Sequence, residues 1–392
     1  VGHGGEVGWA SENILQLNDT KTFSNGAKLP LFVTVTCEFS RLDDPLRTSA
    51  GEFLLLNPDG GAIALLSTTR VVYVDGAATL NDSIFRVIFE KENGRYRTFG
   101  QILRSAKNGT TSADKLRFSL LGDPALRLNV PEHRIVLDSL NNTYFTSVTS
   151  SENDTLQALS RVRISGHVQD AYTGEVATQF HGPVQVILYD KKAARSTLRN
   201  DDQGPAIPFE EWAHAAYRGN VLAEAGYFDA EWVMPLDIAL QLGQGKFSMY
   251  AETDSTDASG SDFRVWIGGI DPDAPVDITG PTVRVFMGDS LFVEGGITGQ
   301  DPMGLVLLFD ENGINAVGNG IGHDLKGTLD GDWNAAFSMN QRYTAEAGTY
   351  KRGQATWPFQ DLTDGPHTFS VRAWDSYNNF AEGSVSFTVV SR

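Results

Sequence analysis

Leu31-Phe32-Val33-Thr34-Val35-Thr36-Cys37 is the stretch that decides how this chain is read. Its apolar, β-branched run predicts a buried strand over Pro30–Thr36, and the only cysteine of the chain closes it. His3 lies 34 positions upstream, within Val1-Gly2-His3-Gly4-Gly5. A thiol ending a buried strand and an imidazole in a glycine-rich turn are the two parts a cysteine nucleophile needs, because thiolate attacks and thiol does not. Glycines beside the imidazole allow close backbone approach and offer a bare N–H to an oxyanion. Taken singly, each residue has a plainer use: a lone Cys on an apolar strand is a small core hydrophobe, and a His between glycines is a turn residue. Their joint placement is what points to chemistry.

Working outward, residues 1–130 read as α/β. Helical patterns at Thr48–Leu56, Ala77–Lys91 and Phe99–Lys107 alternate with the strands Pro30–Thr36 and Ala62–Thr68. Near-continuous apolar strands between helices predict a mostly parallel sheet covered on both faces, with reactive groups at strand ends. From residue 131 the texture changes to apolar–polar alternation, as in Arg161–Gln169, Val184–Tyr189, Gly226–Val233 and Lys246–Glu252. This predicts a first β-sandwich over 131–275 and a second over 276–392, the latter with strands at Val283–Met287, Val306–Phe309, His367–Trp374 and Val385–Val390. Asp254–Asp262 reads as a polar loop, and Asp271–Pro281, with three prolines, as a linker.

At 392 residues the chain has room for two or three domains. A formal charge of −18 argues against a nucleic-acid partner, which needs clustered Lys and Arg. One cysteine excludes an intramolecular disulfide. No apolar run approaches the roughly 20 residues of a membrane helix. The chain starts at Val1 without a signal peptide, and the expectation is a piece of a longer protein.

Other motifs are weaker. Gly318-Asn319-Gly320-Ile321-Gly322 has the wrong spacing and a β context for a dinucleotide, and reads as a loop. Asp310-Glu311-Asn312-Gly313 begins like a calcium loop, but its glycine falls early and Ile321 stands at position twelve. No metal ligand is assigned; structural calcium on the aspartates of the β region stays open. Asp43 and Asp44 could line a subsite or form a solvated turn. His-Gly-Gly also suits an esterase oxyanion hole, yet the Gly-x-Ser-x-Gly elbow is missing: Ser290 comes nearest, with Phe292 at the second glycine position.

Gly2-His3-Gly4, Leu29-Pro30-Leu31 and Thr36-Cys37 resemble the catalytic half of the gingipain family of cysteine peptidases, relatives of caspases, and Leu121-Gly122-Asp123-Pro124-Ala125-Leu126 resembles its closing strand. The wider match, closer to the sortases of the type IX secretion system in Bacteroidetes, takes in Gly5-Glu6, Glu38-Phe39-Ser40-Arg41, Ser49-Ala50-Gly51-Glu52 and Asn57-Pro58 with Gly60-Gly61. It continues through Phe309–Asn315, Gly318–Asp324 and Ala373-Trp374-Asp375. The resemblance implies that residues 1–130 are the C-terminal part of a caspase-like peptidase domain, whose upstream part supplies the acid that orients the His.

It further implies Cys37 as nucleophile, His3 as base and then acid, and the backbone N–H groups of Gly4 and Cys37 as oxyanion hole. Glu38 and Asp43 are candidate subsite residues; Glu38-Phe39-Ser40 replaces the Val-Asn-Gly of gingipains, so an Arg or Lys preference does not carry over. No cofactor is required. The implied partners are secreted proteins with C-terminal signal domains, anionic lipopolysaccharide as acceptor and other type IX components, at the cell surface in association with the outer membrane. The competing expectation is a non-catalytic β-sandwich adhesion or scaffold module with a degenerate peptidase domain.

Overall fold

The computed structural model describes residues 2–10, 13–92, 94–145, 155–199, 204–254, 256–316 and 322–391. Val1 and most of the glycine-rich 318–322 stretch, with Ile321, lie outside the described residues. The chain divides into two compact units, Val1–Val130 and Pro131–Arg392.

The first unit opens with three short antiparallel strands, β1 (Gly4–Gly5), β2 (Gly8–Trp9) and β3 (Leu15–Gln16), followed by α1 (Leu17–Thr22). Its main sheet has the order β4 (Leu31–Val33), β5 (Ala64–Thr68), β8 (Phe118–Gly122). Between them lie α2 (Ala50–Leu56), α3 (Val74–Val87), the hairpin β6 (Lys91–Glu92) and β7 (Arg95–Tyr96), and α4 (Phe99–Asn108). Helix α2 starts at a capping box: the Glu52 N–H donates to Ser49 Oγ, and the Ser49 N–H donates to the Glu52 carboxylate at 2.8 Å. Thr98 and Gln101 do the same for α4.

All five residues of β5 are buried. Ala64 and Leu66 join a core with Leu80 and Ile84 of α3 and Phe99 and Ile102 of α4. Leu65 packs on the other side with Leu15, Phe39, Ala50 and Leu54. Burial on both faces is why this strand carries no polar alternation. The sheet is mixed rather than mostly parallel, since β4 pairs β5 parallel and β8 pairs β5 antiparallel. The helix expected at Ala77–Lys91 begins earlier, at Val74, and ends at Val87, leaving Lys91 in the hairpin.

The second unit holds two separate apolar cores. One gathers Leu137, Val186, Trp232, Phe247 and Ile267, the other Val285, Val306, Ala355, Phe369 and Phe387. A twelve-stranded sheet runs through both, and at one junction it narrows to a single parallel bridge, Gly219 to Ala345. Strands Thr282–Met287, Met303–Phe309 and Arg352–Pro358 of this sheet face a five-stranded sheet containing Gly365–Trp374 and Phe380–Val389 across the second core. A polar clasp ties the two parts: the Asp237 carboxylate lies 2.9 Å from His323 Nδ1 and accepts from Asn315 and Asn378 at 2.8 Å each.

Two segments differ from their sequence reading. Asp257–Asp262, expected as loop, is a strand paired antiparallel with Lys246–Glu252 and parallel with His133–Leu140. Its small polar residues hide it: Ala258 is fully buried, and a Cβ on Gly260 would overlap the Ile135 carbonyl oxygen. The stretch 271–281 is irregular as expected, but it is pinned to the second core, where Asp277 accepts from Asn312 Nδ2 at 2.7 Å and its carbonyl from Asn379 Nδ2 at 3.2 Å.

That pinning gathers the carboxylates of Asp277, Asp310 and Asp375 within 4.8 Å of one another. Burial pushes the Asp310 carboxyl up to about 6, against the pull of the Asn312 N–H, and the charges of Asp375 and Asp277 add to the rise. Burial likewise raises Asp375. The folded chain therefore keeps the Asp310 proton to higher pH than the unfolded chain, which releases it near 3.8. Stability falls as pH rises through that window.

Two outcomes follow from this packing. Gly260→Ala should destabilise the second unit by about 1–3 kcal/mol, read from urea unfolding, because backbone rather than a flexible side chain blocks the new methyl. Asp310→Asn, which removes the charge but keeps an acceptor for Asn312, should raise the melting temperature more at pH 7 than at pH 4. Thermal scans in EDTA, where no cation neutralises the cluster, test this; an equal gain at both pH values would contradict the assignment.

Candidate active site

Beyond β4 the chain stays extended, held by the Thr34 N–H to the Leu66 carbonyl at 2.9 Å. Under it lies a chain of buried hydroxyls, with Ser67 Oγ 2.7 Å from Thr34 Oγ1 and accepting from Ser40 Oγ at 2.8 Å. The Thr68 hydroxyl donates to the Thr36 carbonyl, and the Ser40 N–H to the Thr68 carbonyl at 2.9 Å. Between these anchors Glu38 turns the backbone at φ +52°, a conformation L residues adopt rarely and only when neighbours hold it. Cys37 thus sits in the turn beyond the strand rather than at its last residue. Its side chain is half-buried, with Sγ 3.6 Å from the Val72 carbonyl oxygen.

The His3 segment runs along this one. The Gly2 N–H donates to the Val35 carbonyl at 3.1 Å, and the His3 carbonyl accepts from the Ala10 N–H at 2.9 Å. In an antiparallel ladder hydrogen-bonded and non-bonded pairs alternate, so Gly4, opposite Trp9, turns its N–H away from β2 and toward the edge where Gly2 meets Val35. Gly4 itself packs so closely on Thr36 that a Cβ would overlap the threonine hydroxyl. The structure thereby brings the backbone carrying His3 beside the backbone leading to Cys37. His3 is exposed, and its ring has no hydrogen-bond partner among the described residues.

Of the candidate subsite residues, Glu38 is half-buried and its carboxylate has no partner among the described residues. Asp43 is committed elsewhere. Both terminal nitrogens of Arg70 donate to its carboxylate, at 3.1 and 2.5 Å, and Arg41 Nε donates at 3.4 Å. The Arg70 bonds hold the Asp43 carboxyl below its ordinary range. Asp44 accepts from the Leu46 N–H at 2.9 Å in a turn.

Sequence reasoning missed the charges that join the two segments. Arg41 Nη1 donates to Glu6 Oε1 at 2.8 Å, and Arg47 lies 3.6 Å from Glu6 Oε2. Both residues stand in the motifs already quoted, Gly5-Glu6 and Ser40-Arg41, but nothing in a sequence pairs positions 35 apart. Far along the chain, the Asp277, Asp310 and Asp375 group is the set of described side chains that could hold a cation. Only Asp310 of these belonged to the broken calcium motif.

Residues 1–129 match the model of peptidase family C25. No curated protein matches the chain. Among solved structures, the chain is 28% identical to dimeric latent PorU from Porphyromonas gingivalis, with a TM-score of 0.44, over 84% of this chain and 31% of that one. It is 14% identical to the Arg-specific cysteine proteinase gingipain R, with a TM-score of 0.31, over 68% of this chain and 52% of that one. A complex of the pro- and mature domains of Porphyromonas gingivalis RgpB gives 15% identity and a TM-score of 0.31, over 66% and 53%. The chain spans about a third of the PorU chain and about half of each gingipain chain. The likeness to peptidase family C25 thus covers residues 1–129, about a third of the chain.

Proposed function

We propose that the first unit carries the reactive pair of a cysteine peptidase, Cys37 as nucleophile and His3 as general base and acid. The observation that carries this reading is the seating of Gly4 on Thr36 beside the 3.1 Å bond from Gly2 to Val35, which lays the His3 segment along the Cys37 segment. The imidazole takes the thiol proton as Sγ bonds to the scissile carbonyl carbon, and the carbonyl electron pair moves to oxygen. The N–H groups of Gly4 and Cys37 receive that oxyanion, a contribution of about 3 kcal/mol for one such donor. Collapse breaks the C–N bond, and His3 returns the proton to the leaving amine, leaving a thioester. Water then attacks to give a carboxylate, or an amine attacks to give a new amide, and Sγ leaves and regains a proton through His3.

The wider reading is a surface sortase associated with the outer membrane. It would remove C-terminal signal domains from secreted proteins, alongside other type IX components, and join the new carboxyl ends to an amine of anionic lipopolysaccharide. The family match and the motifs shared with type IX sortases support it. A second reading, a non-catalytic surface module, draws on the half-buried state of Cys37 against the first unit's core. In that case Cys37 is a packing residue.

The two readings part in one experiment, since Cys37 is the chain's sole thiol. Iodoacetamide should label Cys37 rapidly at neutral pH if His3 activates the thiol, and His3→Ala should slow that labelling. Slow labelling in both proteins would make Cys37 a core residue. With a secreted substrate bearing its signal domain, Cys37→Ala should abolish release of that domain; unchanged release would end the peptidase reading.

A further inference from the structure

We infer that Glu6 and Arg41 are positioning residues whose ion pair holds the His3 hairpin against the Cys37 turn and so sets the reach from imidazole to thiol. The inference rests on the Cys37–His3 reading above. Glu6 occupies the tight turn between β1 and β2, three residues from His3, and Arg41 lies four residues beyond Cys37. Their contact, Nη1 to Oε1 at 2.8 Å, therefore joins the two segments at a second point beside the Gly2–Val35 bond.

The Glu6 side chain is only 10% exposed. A carboxylate so covered is costly unless charges and hydrogen bonds meet it. Arg41 meets it directly, Arg47 stands behind at 3.6 Å, and the Glu6 carbonyl accepts the Ala50 N–H at the start of α2 at 2.8 Å. Arg41 in turn uses Nε toward Asp43, and Asp43 is held by Arg70, whose carbonyl accepts the Glu38 N–H at 3.4 Å. The chain of charges Glu6–Arg41–Asp43–Arg70 thus runs from the hairpin, past the turn after the nucleophile, to the loop after β5. A guanidinium, with separate donors in a fixed plane, is well suited to span two carboxylates in this way.

The hairpin needs such a clasp. Strands of two residues have little stability of their own, and reactive groups displaced by about 1 Å lose on the order of a hundredfold in rate. Besides the ion pair, the hairpin is tied to the Cys37 segment by the Gly2–Val35 bond, by the seating of Gly4 on Thr36 and by the Trp9 ring, 5.5 Å from that of Phe39.

The test compares iodoacetamide labelling of Cys37 against pH in the full chain with His3→Ala, Glu6→Gln, Arg41→Lys and the Glu6→Gln/Arg41→Lys double variant. Arg41 is about a third exposed, so its lysine variant keeps the fold. Each single variant should lower the rate at pH 6 by about tenfold, the loss of thiolate for a tenfold weaker ionisation. The double variant should lower it no further, since either change opens the clasp. If Glu6→Gln and Arg41→Lys label like the parent while His3→Ala slows, the clasp is wrong and the pair stands. If His3→Ala also labels like the parent, both readings fall. A merely structural role would loosen the fold and speed labelling of the half-buried thiol at every pH, the opposite sign, and would also overturn the proposal.

Discussion

Strand β5 leaves no face and no edge of its backbone to water. Its apolar residues enter two cores, β4 and β8 take its two edges, and where the β4 ladder ends its last hydroxyls continue the work. Ser67 and Thr68 bind Thr34, Thr36 and Ser40, so the segment around Cys37 is suspended from β5 by side chains rather than by sheet pairing. Burying hydroxyls is favourable only when each is bonded, and here each bond is made to the segment that carries the thiol. The unusual turn at Glu38 persists because both sides of it are held.

The His3 segment depends on that suspended segment in turn. Its backbone bond goes to Val35 and its glycine rests on Thr36, so any slip of the Cys37 turn would carry the His3 hairpin with it. Electrostatics reinforce the same join through Glu6 and Arg41. The two separate pieces of chain that carry His3 and Cys37 thus become a single geometric unit, supported by helices that cover both faces of β5.

The second unit solves a different problem. Its two cores are linked where the long sheet is thin, and polar groups strengthen the link: Asp237 gathers His323, Asn315 and Asn378. Beside it the irregular stretch 271–281 brings Asp277 to Asp310 and Asp375, concentrating negative charge in a covered place. Such a concentration makes stability sensitive to pH, whereas the hydroxyl network around Cys37 carries no titrating group.

The sequence by itself determined what is local and periodic. The helices at Ala50–Leu56 and Phe99–Asn108 were legible, within a residue or two, from apolar spacing, and the alternating strands Arg161–Asp170 and Lys246–Glu252 from their period of two. Cys37 and His3 stood out by residue type and glycine context. Tertiary structure alone decided whatever requires partners distant in the chain. It made β8 antiparallel, turned the polar Asp257–Asp262 into a sheet strand because small residues fit beside Ile135, drew Asp43 into the grip of Arg70, and set Glu6 against Arg41. Periodicity reports how one segment meets a surface; it carries no information on which distant charge or carbonyl forms that surface.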